Sequence, residues 1–419
     1  MAPRRGREHR RRFEASSRGA WRDGEAAPPR WGGRRRSHAR ALGAAGGGAG
    51  ALGARTAGRR PRAGRASHRL ARSSAGRRVC RRSARHGEQP RGPHDGLEAG
   101  PMTSDAAALM PWYDSLPGPA TKRLVGLVEA SWPEHGPYVE RSFQGRSASE
   151  LAMTEQLATL VERLHPGASA ELIRGYRWMC EMVREEELEF RRSGRYRYSS
   201  FAEVNALVYQ QRDCMADYMF GLLASSVLWA NHTRSFVSYT ERFLAQNTDR
   251  YRHLEVGPGH GLLLYMAAED SRCASVTGLD ISGESLAQTE RALGRLGATK
   301  PARCLVGDIA RPLDFTDRFD SVVLSEVCEH LEAPGAALAN LRGVMAPGGR
   351  IFVNVPVNSP AIDHICLFRT PEEVVELVQS AGFEIEESSN APATGYTEAR
   401  ARKFGAAISV CVIGRVGRG

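Results

Sequence analysis

The sequence predicts an α/β fold, in which an open seven-stranded sheet follows a helical region and an Arg-rich N-terminal segment. Between residues 250 and 353, five short apolar segments alternate with helical patterns, as parallel strands joined by crossover helices do. Two further strand-like segments follow, at residues 383–387 and 407–414. From about residue 120 to residue 246, apolar residues recur every three or four positions, which indicates helices. The predicted segments are therefore 1–101, 102–246 and 247–419.

The N-terminal segment carries the basic charge of the chain. Residues 1–101 contain 26 Arg, no Lys and 7 acidic residues, a net charge of +19, so the other 318 residues carry −8. Such a composition cannot bury enough apolar surface to fold, and we expect disorder. An RNA-binding arm, a transit peptide and a start assigned too far upstream of Met102 are the alternatives. We favour the last, because the composition changes at Met102, and we expect removal of residues 1–101 to leave stability and turnover unchanged.

The composition of the rest of the chain excludes several classes of protein. An acidic body argues against nucleic acid as the partner of the catalytic domain, because such domains have a basic surface. Eight cysteines without metal-ligand spacing are typical of a reduced, cytoplasmic protein. The longest apolar run, Tyr218 to Ala230, is too short to span a membrane.

The helical region is predicted to hold four helices and to cover the substrate side of the sheet, with a surface for a homodimer. A capping box, Ser147 to Glu150, begins the first of these helices. The others are predicted over residues 169–192, 204–223 and 233–245. Tyr196 and Tyr198, between helices, are candidates to line a pocket. Asn231 and His232 are polar residues that could reach the site. We expect them to lie in a surface loop instead.

A glycine-rich turn follows the first predicted strand. The strand ends at Glu255, and Gly257, Gly259 and Gly261 precede an apolar helix. This strand, turn and helix start form the place where α/β sheets bind nucleotide-like ligands. The spacing is G-x-G-x-G rather than the dinucleotide G-x-G-x-x-G, and a carboxylate at Glu255 suits an ammonium group better than a pyrophosphate.

Acidic residues also end the next two predicted strands. Asp280 is placed to accept hydrogen bonds from two ribose hydroxyls, and Asp308 from an adenine amino group. The fourth strand ends near Ser325, and a Pro-Gly-Gly turn precedes the fifth. Since the carboxyl ends of parallel strands meet at one edge, these residues predict a nucleoside site there.

In order and spacing these motifs resemble class I S-adenosylmethionine-dependent methyltransferases over residues 250–416. The resemblance implies a Rossmann-like methyltransferase sheet and S-adenosyl-L-methionine as the cofactor. It implies cofactor contacts from Glu255, Gly257, Gly259, Gly261, Asp280, Ile281, Asp308, Ile309 and Ser325. A dinucleotide oxidoreductase is disfavoured by Glu255 and the glycine spacing, and a non-catalytic cofactor-binding module remains an alternative.

Two segments are candidates for catalysis. Ser325 to Leu331 resembles the E-x-x-E-H segment of ubiquinone-biosynthesis O-methyltransferases and small-RNA 2′-O-methyltransferases, which implies a divalent cation at Glu326, Glu329 and His330. Metal-free relatives carry a similar Glu-His run. In the second segment, Asp363 is predicted to orient His364 as a general base. We predict metal-free catalysis, with His330, His364 and Glu329 as the catalytic residues.

The predicted function is methylation of a small or medium organic acceptor in specialised metabolism. Oxygen is favoured over nitrogen or carbon as the acceptor atom because of the Glu and His residues. Methylation of RNA, with the basic segment as an arm, is the alternative.

Overall fold

The computed structural model describes residues 112–417 except Ala168, and it leaves the side chains of Arg212 and Asp213 undescribed. The predictions for residues 1–101, including the start at Met102, lie outside the described residues. Within the described part of the chain, no helix is long and apolar enough to cross a membrane.

The sheet has seven strands in the order β3-β2-β1-β4-β5-β7-β6, which confirms the predicted fold. Strands β1 to β5 are parallel, and β7 is antiparallel to both β5 and β6. The strands are β1 Tyr251–Val256, β2 Cys273–Asp280, β3 Ala302–Val306, β4 Phe319–Ser325, β5 Met345–Val357, β6 Glu384–Pro392 and β7 Ile408–Arg415. Strand β6 extends beyond the predicted Glu387, because it pairs with β7 as far as Pro392.

The helical region begins with α1 and meets the sheet at β1. Its helices are α1 Pro119–Ser131, α2 Gly136–Phe143, α3 Ala148–Leu164, α4 Ser169–Ser193, α5 Phe201–Val204, α6 Arg212–Leu228 and α7 Ala230–Val237. The predicted capping box is present, since Ser147 and Glu150 bond each other's backbone N–H groups. Helices between the strands are α8 Leu262–Glu269, α9 Gly283–Leu296, α10 Pro334–Gly343, α11 Pro371–Ser380 and α12 Glu398–Phe404.

The third predicted helix is interrupted. A π-helical turn, Asn205–Tyr209, continues α5, and Gln210 and Gln211 separate it from α6. The spacing of apolar residues could not predict this break, because the apolar pattern continues on both sides of it. The fourth predicted helix begins at Ala230, so Asn231 and His232 lie in a helix rather than in a surface loop.

The two faces of the sheet have separate apolar clusters. On β4, Val323 packs in the cluster that includes the helical region, whereas Val322 and Leu324 pack in the cluster with α10 and α11. Alternate side chains of a strand point to opposite faces, so this division follows from the strand itself. The helical region therefore shares the core of one sheet face, and it brings α5 and α6 to the carboxyl edge of the strands.

Candidate functional site

The glycine turn after β1 has a left-handed backbone conformation, which residues other than glycine adopt only with strain. Gly257, Gly259 and Gly261 have φ angles of 64°, 50° and 77°. A Cβ atom at Gly257 would lie 2.9 Å from Val327 Cγ2. The Thr289 hydroxyl of α9 donates to the Gly259 carbonyl at 2.9 Å. The turn is therefore both narrow and held from behind by α9.

Glu255 lies beneath this turn and is buried, with 3% of its surface exposed. Its Oε2 atom has no hydrogen-bond partner among the described residues. Burial raises the pKa of its carboxyl group well above the usual range. A positively charged ligand group would supply the missing partner.

The two acids after β2 and β3 are oriented by local hydrogen bonds. Asp280 accepts from the Ser282 backbone N–H and from the Ser285 hydroxyl, both at 2.8 Å, and Asp308 accepts from the Ala310 N–H at 2.9 Å. These bonds hold both carboxylates at the carboxyl edge of the sheet.

Apolar side chains lie between these acids. Ile281 is 52% exposed, and Val306, which pairs with Asp280 in the sheet, is 69% exposed. The sequence prediction did not include Val306. The side chain of Ile309 is buried in the apolar cluster beneath the sheet edge, so its predicted cofactor contact would come from its backbone.

A second group of acids follows β4. Glu329 lies in the 3₁₀ turn Cys328–His330 and is fully buried. Neither of its carboxylate oxygens has a hydrogen-bond partner within residues 112–417. Glu326, with a φ of 53°, accepts from Asn354 Nδ2 at 2.8 Å. Burial raises the pKa of both carboxyl groups, and the charge of Glu326 raises that of Glu329 further.

Two histidines face this acid. His330 Nδ1 is 3.0 Å from the Asp363 carbonyl, and His364 Nδ1 is 2.6 Å from the Ser359 carbonyl. A carbonyl only accepts, so each Nδ1 carries a proton and donates it, which leaves each Nε2 as an acceptor. The two rings lie edge to face, 5.0 Å apart, and His330 Nε2 is 3.9 Å from Glu329 Oε1. Burial, then the charge of His330, lowers the pKa of His364 to about 4.

The predicted pairing of Asp363 with His364 is wrong. The Asp363 carboxylate instead accepts from the hydroxyls of Tyr218 at 3.1 Å and Tyr209 at 3.4 Å. Both the backbone carbonyl of Asp363, at 3.0 Å, and its carboxylate Oδ2, at 3.7 Å, face Nδ1 of His330, so Asp363 orients His330 rather than His364. The sequence contains no signal that assigns these two tyrosines to the site.

Tyr196 lies beside this group, in agreement with its prediction. Its hydroxyl accepts from the Ser359 N–H at 3.1 Å, and its ring meets the His364 ring edge to face at 5.8 Å. Tyr198 is instead part of the apolar core. Asn231 donates to the Ser409 hydroxyl of β7, and His232 contacts the Ser225 hydroxyl of α6, so both side chains make contacts between neighbouring elements.

Metal-ligating atoms meet in the same group. One ligand atom from each of Glu329, His330 and His364 lies within 4.8 Å of the others. This set differs from the sequence prediction, because His364 takes the place of Glu326, whose Oε1 is bonded to Asn354. A carboxylate and two imidazoles form a donor set that suits divalent transition metals.

Comparison with known proteins identifies the part of the chain that holds the glycine turn, the acids after β2 and β3, and Glu329 with His330. Residues 254–353 match a protein family described as a methyltransferase domain. A search of curated proteins returned no similar protein.

Three solved structures illustrate the structural similarity. The cyclase SpnF has a TM-score of 0.37 and 21% identity, with 44% of this chain and 81% of that chain covered. The N-methyltransferase NodS of Bradyrhizobium japonicum WM9 has a TM-score of 0.34 and 17% identity, with 44% and 94% covered. For the StiE O-MT the TM-score is 0.36 and the identity 18%, with 46% and 77% covered. The identification rests on the domain match alone.

Proposed function

We propose that this protein, a class I S-adenosylmethionine-dependent methyltransferase, methylates a hydroxyl oxygen of a small or medium organic acceptor. The observation that carries the proposal is the pair of histidines, His330 and His364, whose Nδ1 atoms donate to backbone carbonyls and which each bring a ring nitrogen within 4.8 Å of a Glu329 oxygen. A hydroxyl must lose its proton as it attacks a methyl carbon, so an oxygen acceptor needs a base more than a neutral amine does.

Binding of S-adenosylmethionine is assigned to the edge formed by β1, β2 and β3. The buried carboxyl of Glu255 fits the ammonium group, Asp280 the ribose hydroxyls and Asp308 the adenine amino group, with Ile281 and Val306 as apolar neighbours of the base. The cofactor supplies a methyl group on a sulfonium leaving group. Ser325, at the end of β4, is assigned to the same edge.

The two histidines have different proposed roles. His330 is the general base, held by the Asp363 carbonyl. Since the pKa of His364 is about 4, it is a weak base, and it accepts a hydrogen bond that orients the acceptor hydroxyl. The remaining contribution is to hold the acceptor oxygen in line with the methyl group, which accounts for much of the rate in such reactions.

A divalent cation at Glu329, His330 and His364 is a second candidate mode of activating the acceptor. It is favoured by one observation, the buried Glu329 carboxylate without a partner among the described residues. A cation there would lower the pKa of a nearby hydroxyl. Neither mode changes the proposed reaction.

Treatment with EDTA separates the two modes. With His330 as base, EDTA leaves turnover unchanged, and the purified protein contains less than stoichiometric metal. With a cation, EDTA abolishes turnover, a divalent transition metal such as Mn²⁺ or Zn²⁺ restores it, and the variants His330→Ala and His364→Ala lose bound metal together. Binding of S-adenosylhomocysteine, which we expect in the micromolar range, about −8 kcal/mol, should be unaffected by EDTA in either mode.

The acceptor class is tested by comparing small hydroxylated compounds with RNA. The acidic charge of residues 102–419 supports the small-molecule acceptor, and the helical region is proposed to cover it and to offer a homodimer surface. Robust methylation of RNA by protein lacking residues 1–101 would contradict this. Absence of cofactor binding would instead indicate a non-catalytic module.

A cytoplasmic location is supported by seven described cysteines that are all free thiols.

A further inference from the structure

A cavity of about 200 Å³ lies behind the glycine turn, and Gly259 is the one described residue assigned to cofactor or acceptor that lines it. Its walls are the C-terminal end of α3, one face of α6 and the outer face of α9, and Gly259 and His260 close one side. It shares no acidic cofactor residue, since neither Glu255 nor Asp280 lines it. We refer to it as the α9 cavity.

The α9 cavity is positively charged along the wall that α9 forms. Only Arg291 and Arg295 of α9 supply this charge, because burial lowers the pKa of His165 and lowers that of His260 to about 4, and no Asp or Glu is among the described lining residues. Like charges four residues apart on a helix repel each other by a few tenths of a kcal/mol, and an anion between the two arginines would remove this repulsion.

Contacts with neighbouring residues compensate only part of the positive charge of Arg291 and Arg295. Arg295 Nη1 donates to the Leu164 carbonyl at the end of α3, at 3.0 Å. Arg291 has an acidic neighbour in Glu284 only at 3.7 Å, between side chains that are 56% and 78% exposed, a pairing that contributes little. The charge of Arg295 also lowers the pKa of His165, after the larger effect of burial, so the groups interact electrostatically.

We propose that the α9 cavity binds a small anion that carries a phosphate or carboxylate group and that this anion strengthens cofactor binding. Arginine guanidinium groups bind both kinds of anion in the same geometry. The volume is below that of a typical pocket for a larger organic ligand, so the ligand is small. Met219 and Phe220 of α6 supply an apolar wall for its remaining atoms.

The coupling to the cofactor passes through the glycine turn. Thr289 of α9 is bonded to the Gly259 carbonyl, and His260 belongs both to the turn and to the cavity wall. An anion that draws α9 toward His260 orders the turn before the cofactor arrives. Cofactor binding then loses less conformational entropy, which is positive coupling between the two ligands.

The test is calorimetry of S-adenosylhomocysteine with the full-length protein, at constant ionic strength, with and without inorganic phosphate or malonate. We expect at least one of the two anions to act saturably and to lower the Kd of S-adenosylhomocysteine by about 5-fold, the lower end of usual coupling. Arg291→Gln and the double variant with Arg295→Gln should lose this effect, while their Kd without anion stays that of the wild type.

The matched control replaces Arg303 and Arg318, two exposed arginines away from the cavity, by Gln. It removes the same charge and should keep the anion effect, and the Arg-rich residues 1–101 are present in every variant. The proposal is overturned if neither anion acts, if the effect persists in the α9 variants, or if phosphate and malonate only compete with S-adenosylhomocysteine. Cofactor binding without anion reports separately on the proposed function.

Discussion

The cofactor edge and the acceptor group differ in how they are assembled. At the cofactor edge, Glu255, the glycine turn and Asp280 lie within 26 residues of one another, and backbone geometry holds them. The acceptor group joins Tyr209 and Tyr218 to Glu329, His330 and the loop at Asp363, and side-chain bonds across more than 100 residues hold it. Recognition of the cofactor is therefore local in the sequence, whereas the chemistry of the acceptor depends on the helical region.

Each region also contains one buried carboxyl group with oxygens that lack a partner among the described residues, Oε2 of Glu255 and both oxygens of Glu329. The surroundings of the two groups differ. Glu255 has burial as the cause of its raised pKa, whereas the pKa of Glu329 is raised by burial and by the charge of Glu326. Glu329 also lies next to an imidazole at 3.9 Å. The first arrangement fits one positive ligand group, and the second fits a proton shared with the acceptor or a cation.

The largest expected effect is a loss of turnover in a variant of the acceptor group, with cofactor binding unchanged. His330→Ala should lower kcat by about 10²- to 10⁴-fold, the usual contribution of a general base, because no other group next to Glu329 is assigned that role. The Kd for S-adenosylhomocysteine should not change, since the cofactor edge is intact. Steady-state kinetics and calorimetry measure the two quantities. Arg318→Ala, at the opposite edge of the sheet, is the control, and full activity of His330→Ala would leave positioning as the only mechanism.

The reverse pattern is expected for Glu255→Gln. Loss of a buried hydrogen bond to a charged group costs about 1.5 to 3 kcal/mol, so the Kd for S-adenosylhomocysteine should rise by roughly 10- to 100-fold. Turnover at saturating cofactor should change little, because the acceptor group is unaltered. If kcat fell and the Kd did not, the assignment of the two regions would have to be exchanged.

The pH dependence of cofactor binding should sharpen the role of Glu255. Its raised pKa means that the free protein holds a proton there, and an ammonium group displaces that proton by lowering the pKa. Binding therefore releases a proton and becomes tighter as pH rises toward the raised pKa, by less than tenfold for each pH unit. Calorimetry in buffers of different ionisation enthalpy, from about pH 6 to about pH 8, measures this release. The Glu255→Gln variant should show none, and equal release from that variant would place the proton elsewhere.

The smallest effect is expected for Tyr218→Phe, which tests the contact between the helical region and the acceptor group. Loss of its bond to Asp363 should lower kcat by about 3- to 10-fold, since such a bond contributes about 1 kcal/mol. In an Asp363→Asn background the same change should have little further effect, because the two residues act together. Tyr396→Phe, at an exposed tyrosine, is the control. Additive losses in the double variant would mean that Tyr218 acts independently of Asp363.

Much of the cofactor edge was predictable, and some of the acceptor group was not. The glycines, Asp280 and Asp308 lie where strands end, and strand ends are visible in the pattern of apolar residues. Burial of the Ile309 side chain was not predictable, because position relative to a strand end does not tell which way a side chain points. The pairing of Asp363 failed for the same reason, since its carboxylate turns toward Tyr209 and Tyr218.

The sequence alone determined the order of strands and helices along the chain, because this order depends on residue periodicity. It also determined the glycine turn, which depends on the backbone freedom of glycine, and the acids at the strand ends. Tertiary structure decided which hydroxyls reach Asp363, which ring nitrogens of His330 and His364 carry the proton, and that His364 joins Glu329. These contacts depend on side-chain directions and on packing between segments far apart in the chain. No local pattern encodes them, because a hydrogen bond requires its two atoms to meet in space.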